Sequence, residues 1–181
     1  MYDAEDILKQ NPNDLNARRI LARIYARLIG DNQTNKIDES YLRKAVEQYQ
    51  KITEKDPKDI ESWLMLGRLH KLGQNSIEAE KAYKKALELE ENNEDALTGL
   101  AIVYSDLGDA KQAAEMLKRA SDKNPNGRSL AALAGTYEPM RDCALAAATL
   151  KKAIEPSPAN PLELKRAMPP CLVPAAPPHQ S

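Results

Sequence analysis

The sequence predicts an all-α chain, a solenoid of about four helix pairs with half a pair in front. Four observations carry this. Ala, Leu and Ile supply the apolar content alongside heavy use of Glu and Lys, a composition that belongs to helices. Aromatic residues make up 4% of the 181 residues and Phe is absent, which is too little aromatic area for a conventional sandwich or mixed α/β core. Small and large apolar residues also recur at fixed offsets, with steps of 34 and then 33 residues. Finally, eight of the 12 prolines lie at or after Pro156, so a helical body precedes a Pro-rich end.

The elements follow in order. Residues 1–14 read as the second helix of an incomplete pair, running from Asp3 through Ile7 and Leu8 to Asn11-Pro12. This helix is either a cap or a sign that the chain is a piece of a longer one, and it offers an open edge for self-association. Residues 15–59 hold the first full pair. Arg18, Leu21, Ala22 and Tyr25 open it, and Ala45, Tyr49, Ile52 and Pro57 close it. The step from Tyr25 to Ala45 is 20 residues where the later copies have nine, so 11 extra residues lie within Ala26–Ser40, and GDNQTNKIDES reads as an extended loop. Residues 60–93 carry Trp63, Leu66, Gly67 and His70, then Ala79, Tyr83 and Ala86. Residues 94–126 carry Leu97, Leu100, Ala101 and Tyr104, then Ala113, Leu117, Ala120 and Pro125. Residues 127–160 carry Leu130, Leu133, Ala134 and Tyr137, then Ala146, Leu150, Ala153 and Pro158. In 161–181, a stretch from Pro161 to Ala167 is expected to lay Leu162, Leu164 and Met168 over the last pair, and the remainder reads as a disordered tail.

Each pair has a physical rationale. The small residues Ala22, Gly67, Ala101 and Ala134 on the first helix, and Ala45, Ala79, Ala113 and Ala146 on the second, stand where two helices must approach closely. Gly73 and Gly108 suit left-handed positions after first helices. Asn75 with Glu78, and Asp109 with Gln112, read as N-cap pairs opening second helices. Pro57, Pro125 and Pro158 stop second helices. Pro139 and Pro156 are expected to shorten the helices of the last pair.

Composition excludes several functions. The net charge of −1 lacks the basic excess of a nucleic-acid binder. No apolar run approaches membrane-spanning length, so no membrane insertion is expected. The residues 1–6 do not read as a signal peptide, and a soluble compartment is expected, cytoplasmic, or periplasmic or secreted if a leader has been removed. The two Cys stand 28 residues apart, one in a helical stretch and one in the tail, and His179 is in the tail too, so no metal site or disulfide framework is readable, and with one His in the folded part no catalytic triad is suggested. No cofactor or metal is expected. His70 reads as a packing residue, and Cys143 as a small packing residue at a helix start.

The pattern resembles the tetratricopeptide repeat (TPR) family, W-x2-L-G-x2-Y…A-x3-F…P. Trp63, Leu66, Gly67, Ala79 and Tyr83 match it, with His70 in place of Tyr and Glu91 in place of the final Pro. The resemblance covers about 12–160 and implies a right-handed α-solenoid that binds a protein or peptide in its concave groove, without catalysis. The positions that would face this groove are Asn16, Arg19, Arg23 and Arg27; then Glu61, Leu64, Arg68 and Lys71; then Asp95, Thr98, Ile102 and Ser105; then Arg128, Ala131 and Gly135. Two readings of the arginines stay open. They receive an acidic or C-terminal peptide, since Arg forks onto carboxylates, or they pair with Glu61 and Asp95 and only solvate the face. The clamp with which some family members hold chaperone C-termini is not reproduced, because Met65, Asp95 and Gly99 stand at its places. The sequence thus points to a non-enzymatic scaffold, or to the assembly or regulatory segment of a larger protein.

Overall fold

The structure is a computed structural model that describes residues 2–30, 37–123, 127–137 and 140–154. Nine α-helices follow one another among these residues: α1 Tyr2–Gln10, α2 Leu15–Leu28, α3 Glu39–Lys55, α4 Ile60–Leu72, α5 Ser76–Leu89, α6 Glu94–Asp106, α7 Ala110–Lys123, α8 Gly127–Tyr137 and α9 Cys143–Ile154. The fold is all-α; one isolated antiparallel bridge, Gly30 to Ile37, closes the neck of the insertion in the first pair. The chain divides into two compact units, one ending at Gly99 and the other beginning at Leu100, within α6.

The same turns recur along the chain. At the ends of α1, α3 and α5, the amides of Asn11, Asp56 and Glu90 donate to the carbonyls of Ile7, Ile52 and Ala86. The amides of Asp14, Asp59 and Asn93 then donate to Asn11, Asp56 and Glu90. Helix α1 therefore ends as a second helix does. The α5 turn is also intact although Glu91 occupies the proline position, because the bonds run through backbone that proline does not supply. The three residues that close these turns also cap the next helix: Asp14, Asp59 and Asn93 accept from the amides of Ala17, Ser62 and Ala96.

First helices end in a second recurrent turn. The amides of Asn75, Asp109 and Asp142 donate back to the carbonyls of His70, Tyr104 and Tyr137, the six-to-one bond of a Schellman end. Its left-handed position falls on Gln74 (φ 58), Gly108 (φ 80) and Arg141 (φ 56). The expectation for Gly73 is corrected here. Its φ is −79, and Gln74, one residue later, takes the left-handed place. Asn75 and Asp109 cap α5 and α7 as expected.

In the first unit, the small positions are sealed. Ala22, Ala45 and Ala79 have no exposed surface, and Ile52 is equally buried between Leu21, Tyr49 and Leu66 in one continuous core. Tyr83 fills a narrower place. A Cβ on Gly67 would stand 2.6 Å from its ring, and a Cβ on Gly99 would overlap it, so glycines of α4 and α6 clamp the ring of α5 from two sides. In the second unit, the corresponding places hold Ala101 and Leu117, both buried, and Ala132, which is exposed. On α1, Ile7 is 43% exposed although the equivalent Ile52 has no exposed surface, because half the surroundings of a second helix are missing there.

Pro125, Pro139, Pro156, Pro158, the capping stretch, the tail and His179 lie outside the described residues. Cys143 is disulfide-bonded, which corrects its reading as a packing residue: being half-exposed at the first turn of α9, it has little core to fill. His70 is half-buried. Burial lowers its pKa, against a smaller opposing pull from Glu78.

Candidate interaction face on the first helices

Positions on the exposed side of a first helix recur with the repeat. Arg23 of α2, Arg68 of α4, Ile102 of α6 and Gly135 of α8 are equivalent, as are Asn16, Glu61, Asp95 and Arg128 about two turns earlier. In the first unit these two series meet. Arg23 donates to Glu61 at 2.9 Å and 3.3 Å, and Arg68 stands 2.9 Å from Asp95. Each arginine thus reaches the start of the following first helix, bridging α2 to α4 and α4 to α6. All four side chains are at least half exposed, so these pairs contribute little stability. Their effect is to cancel charge on the face.

Arg19 is held more firmly. Its guanidinium donates to Asp59 at 2.9 Å and 3.2 Å and to Asp56 at 3.3 Å. Asp59 also accepts the amide and hydroxyl of Ser62 at 3.1 Å and 3.0 Å. Burial pushes the Asp59 carboxyl up, but Arg19 and Ser62 together bring it below the usual range. A turn that caps α4 therefore also anchors the nearest arginine of α2. Beside it, Arg18 takes the place of Trp63 in the repeat and keeps its bond. Trp63 donates its indole N–H to the Pro57 carbonyl at 2.9 Å, and Arg18 donates to the Pro12 carbonyl and to Gln48.

Of the remaining expected groove residues in this unit, Asn16 and Arg27 are exposed, and Lys71 and Thr98 are half-buried. Leu64 is 9% exposed, so it belongs to the core and not to the face; between two packed helices an apolar side chain at that register turns inward. The basic face expected from the arginines is thus a face of matched pairs, two of them with the carboxylates named in the sequence.

In the second unit the positions equivalent to Arg23 and Arg68 are uncharged. Ile102 is 46% exposed, Ser105, Ala132 and Gly135 are exposed, and Ala131 is half-buried. Nothing lies within 4 Å of where a Gly135 Cβ would stand. A cleft of about 310 Å³ opens there, lined by Ser105, Gly108, Ala110, Ala132, Gly135 and Thr136. The side chain of Arg128 lies outside the description. Among the described residues there is no cluster of three metal-ligating side chains, and no helix is long and apolar enough to cross a membrane.

Sequence reasoning missed three participants. Asp56 and Asp59 carry nothing in the sequence that joins them to Arg19. For Gly99, one side of the Tyr83 clamp, the signal is spacing: Gly67 and Gly99 lie 16 residues before and after Tyr83.

Comparison with known proteins agrees with this architecture. The family model described as cytochrome c-type biogenesis protein H TPR domain matches residues 50–161. The cellulose synthase operon protein C of Pseudomonas fluorescens (strain SBW25) is 34% identical over 113 residues, 62% of this chain and 8% of that protein, so the chain spans under a tenth of this relative's length. Among solved structures, MamA superposes with a TM-score of 0.73 at 23% identity, covering 84% of this chain and 83% of its own. YrrB, described as a TPR protein with an unusual peptide-binding site, superposes with a TM-score of 0.67 at 19% identity, covering 86% and 75%. At these identities the structural likeness speaks for the fold.

Proposed function

From a chain that belongs to the family of cytochrome c-type biogenesis protein H TPR domains, we propose a non-enzymatic interaction module that holds a partner peptide on the uncharged first-helix face of its second unit. One observation carries the reading: a single repeat position changes from Arg23 and Arg68, each matched by a carboxylate, to Ile102 and Gly135 beside an open cleft. An apolar side chain of the partner enters the cleft over Ala132 and Gly135, with the Ser105 hydroxyl at its rim. Burying a Leu-sized group there is worth roughly 1.5–3 kcal/mol, enough for one anchor of a modest-affinity peptide complex. The peptide-binding site named for YrrB supports this mode of use.

An acidic peptide on Arg19, Arg23 and Arg68 is the competing reading. It must displace carboxylates already in place, and an exchange of one carboxylate for another gains little. Service as an assembly segment of a larger protein is compatible with either face, and the match to a much longer relative favours it.

Selection of short random peptides on the full chain separates the two faces. The expected result is enrichment of peptides with an apolar anchor, whose binding falls at least about tenfold in Gly135→Arg and is unchanged in Arg19→Glu/Arg23→Glu. Enrichment of Asp- and Glu-rich peptides, lost in the second variant and kept in the first, would overturn the proposal.

A further inference from the structure

Arg18 is finished differently from Arg19, Arg23 and Arg68, each of which faces a carboxylate. Arg18 is half-buried and its partners are neutral. Nη1 donates to the side-chain oxygen of Gln48 at 2.8 Å, and Nη2 donates to the Pro12 carbonyl. It makes no ion pair among the described residues. The repeat marks this as a departure. The positions equivalent to Arg18 hold Trp63, Leu97 and Leu130, and those equivalent to the buried Gln48 hold Ala82, Met116 and Thr149. Packing alone asks for another large apolar side chain here, and a half-buried charge without a counter-charge is costly.

The surroundings add charge of the same sign. Arg18 lines a pocket of about 310 Å³ together with Lys9 of α1 and Lys51 of α3. These lysines meet Asp6 and Glu47 through exposed pairs within their own helices, and such pairs are worth little. Among the described lining residues Glu5 is the one acid, and its carboxylate already accepts the Tyr25 hydroxyl at 3.0 Å. Three cations against one carboxylate leave the lining positive.

We propose that this pocket binds a phosphate group. Arg18 donates to its oxygens with the N–H groups that Gln48 and Pro12 leave unused, and Gln48 holds the guanidinium in place. Lys9 and Lys51 turn from their surface pairs and close on the group from α1 and α3. A guanidinium matches phosphate geometry as a fork, and lysines add point charge. A phosphate monoester carries about 1.5–2 negative charges at pH 7, which answers the excess in the pocket better than the single charge of a carboxylate. The site lies wholly in the first unit and is independent of the peptide cleft proposed for the second.

The test titrates the full chain with inorganic phosphate and, separately, with a tripeptide carrying phosphoserine, at constant ionic strength, and follows backbone and arginine side-chain N–H shifts. Saturable shifts at Arg18, Gln48 and Lys51 are expected, with a dissociation constant at or below about 1 mM. Binding is expected to fall at least about tenfold in Arg18→Leu, a residue that Leu97 and Leu130 already supply at this repeat position, and roughly threefold in the surface variant Lys9→Gln/Lys51→Gln. Glu5→Gln keeps an acceptor for Tyr25 and is expected to tighten binding roughly threefold. Tighter capture of the tripeptide supports a phosphorylated chain as the source of the group, and tighter capture of the free ion supports a small phosphate. Shifts scattered over lysines outside the pocket, a titration that does not saturate, or an affinity that is the same in folded Arg18→Leu would each overturn the proposal.

Discussion

Two first-helix faces occupy the same repeat positions and are finished in opposite ways. In the first unit, α2 and α4 present arginines, and the start of the next first helix presents a carboxylate to each. In the second unit, those positions hold Ile102 and Gly135, both uncharged, with Ser105 and Ala132 beside them. The interior differs in parallel. The first unit packs a tyrosine ring between two glycines, and at those repeat positions the second has Leu117 with Ala101 and Ala132. A repeat thus fixes where a side chain stands and leaves open what it does. A face cross-braced by its own ion pairs is spent, and a bare face is available to a partner.

The interior contrast can be broken most severely at Gly99. Gly99→Leu drives a side chain into the Tyr83 ring and is expected to cost about 1–3 kcal/mol in denaturant unfolding. Adding Tyr83→Leu removes the ring that the new side chain meets and should restore more than half of that loss; equal, additive losses would show that the clamp does not exist.

The bracing itself is sharpened by comparing two caps. Asp59→Ala and Asn93→Ala each remove an N-cap worth about 1 kcal/mol. Asp59 also holds Arg19 and the Ser62 hydroxyl, so its loss should exceed that of Asn93 in the same unfolding series. The Asp59 carboxyl sits below its ordinary value of 3.8 when folded. Its contribution is therefore present above that value and lost as pH falls through the lower, folded one. The gap between wild type and Asp59→Asn should close on acidification below about pH 4, and a gap that widens there would contradict the assignment.

Both units share the left-handed turn, and here they should respond alike. Gln74→Gly and Arg141→Gly relieve a side chain from positive φ and are each expected to stabilise by about 0.5–1 kcal/mol, whereas Gly108→Ala should destabilise by a similar amount. Thermal unfolding reads all three. The smallest effect belongs to the surface pairs. Arg23→Ala and Arg68→Ala should shift stability by less than about 0.5 kcal/mol, and what remains should vanish in high salt.

Much of this was legible in the sequence because the repeat speaks several times. Ala22, Gly67, Ala101 and Ala134 declare one packing position four times over, and all have no exposed surface except Gly67, which is buried as well. Asn75 and Asp109 announce their caps by side-chain type. The site was less legible, since exposed positions are free to vary and each must be read from one residue. Glu61 and Asp95 could be named as partners because they share a repeat position. Asp59 could not, because its reach to Arg19 joins residues 40 apart and a capping aspartate carries no mark of a second role. The left-handed residue was misplaced for a similar reason: glycine is the usual signal, and here Gln74 and Arg141 bear that conformation without it.

The central claim is that the bare face, and not the braced one, receives the partner. Amide shift mapping of the full chain, titrated with a peptide from the selection, tests it most directly. The account predicts perturbations centred on Ile102, Ser105, Ala132 and Gly135, with Arg23, Glu61, Arg68 and Asp95 silent. Perturbations centred on those four charged residues, with the second unit silent, would contradict it.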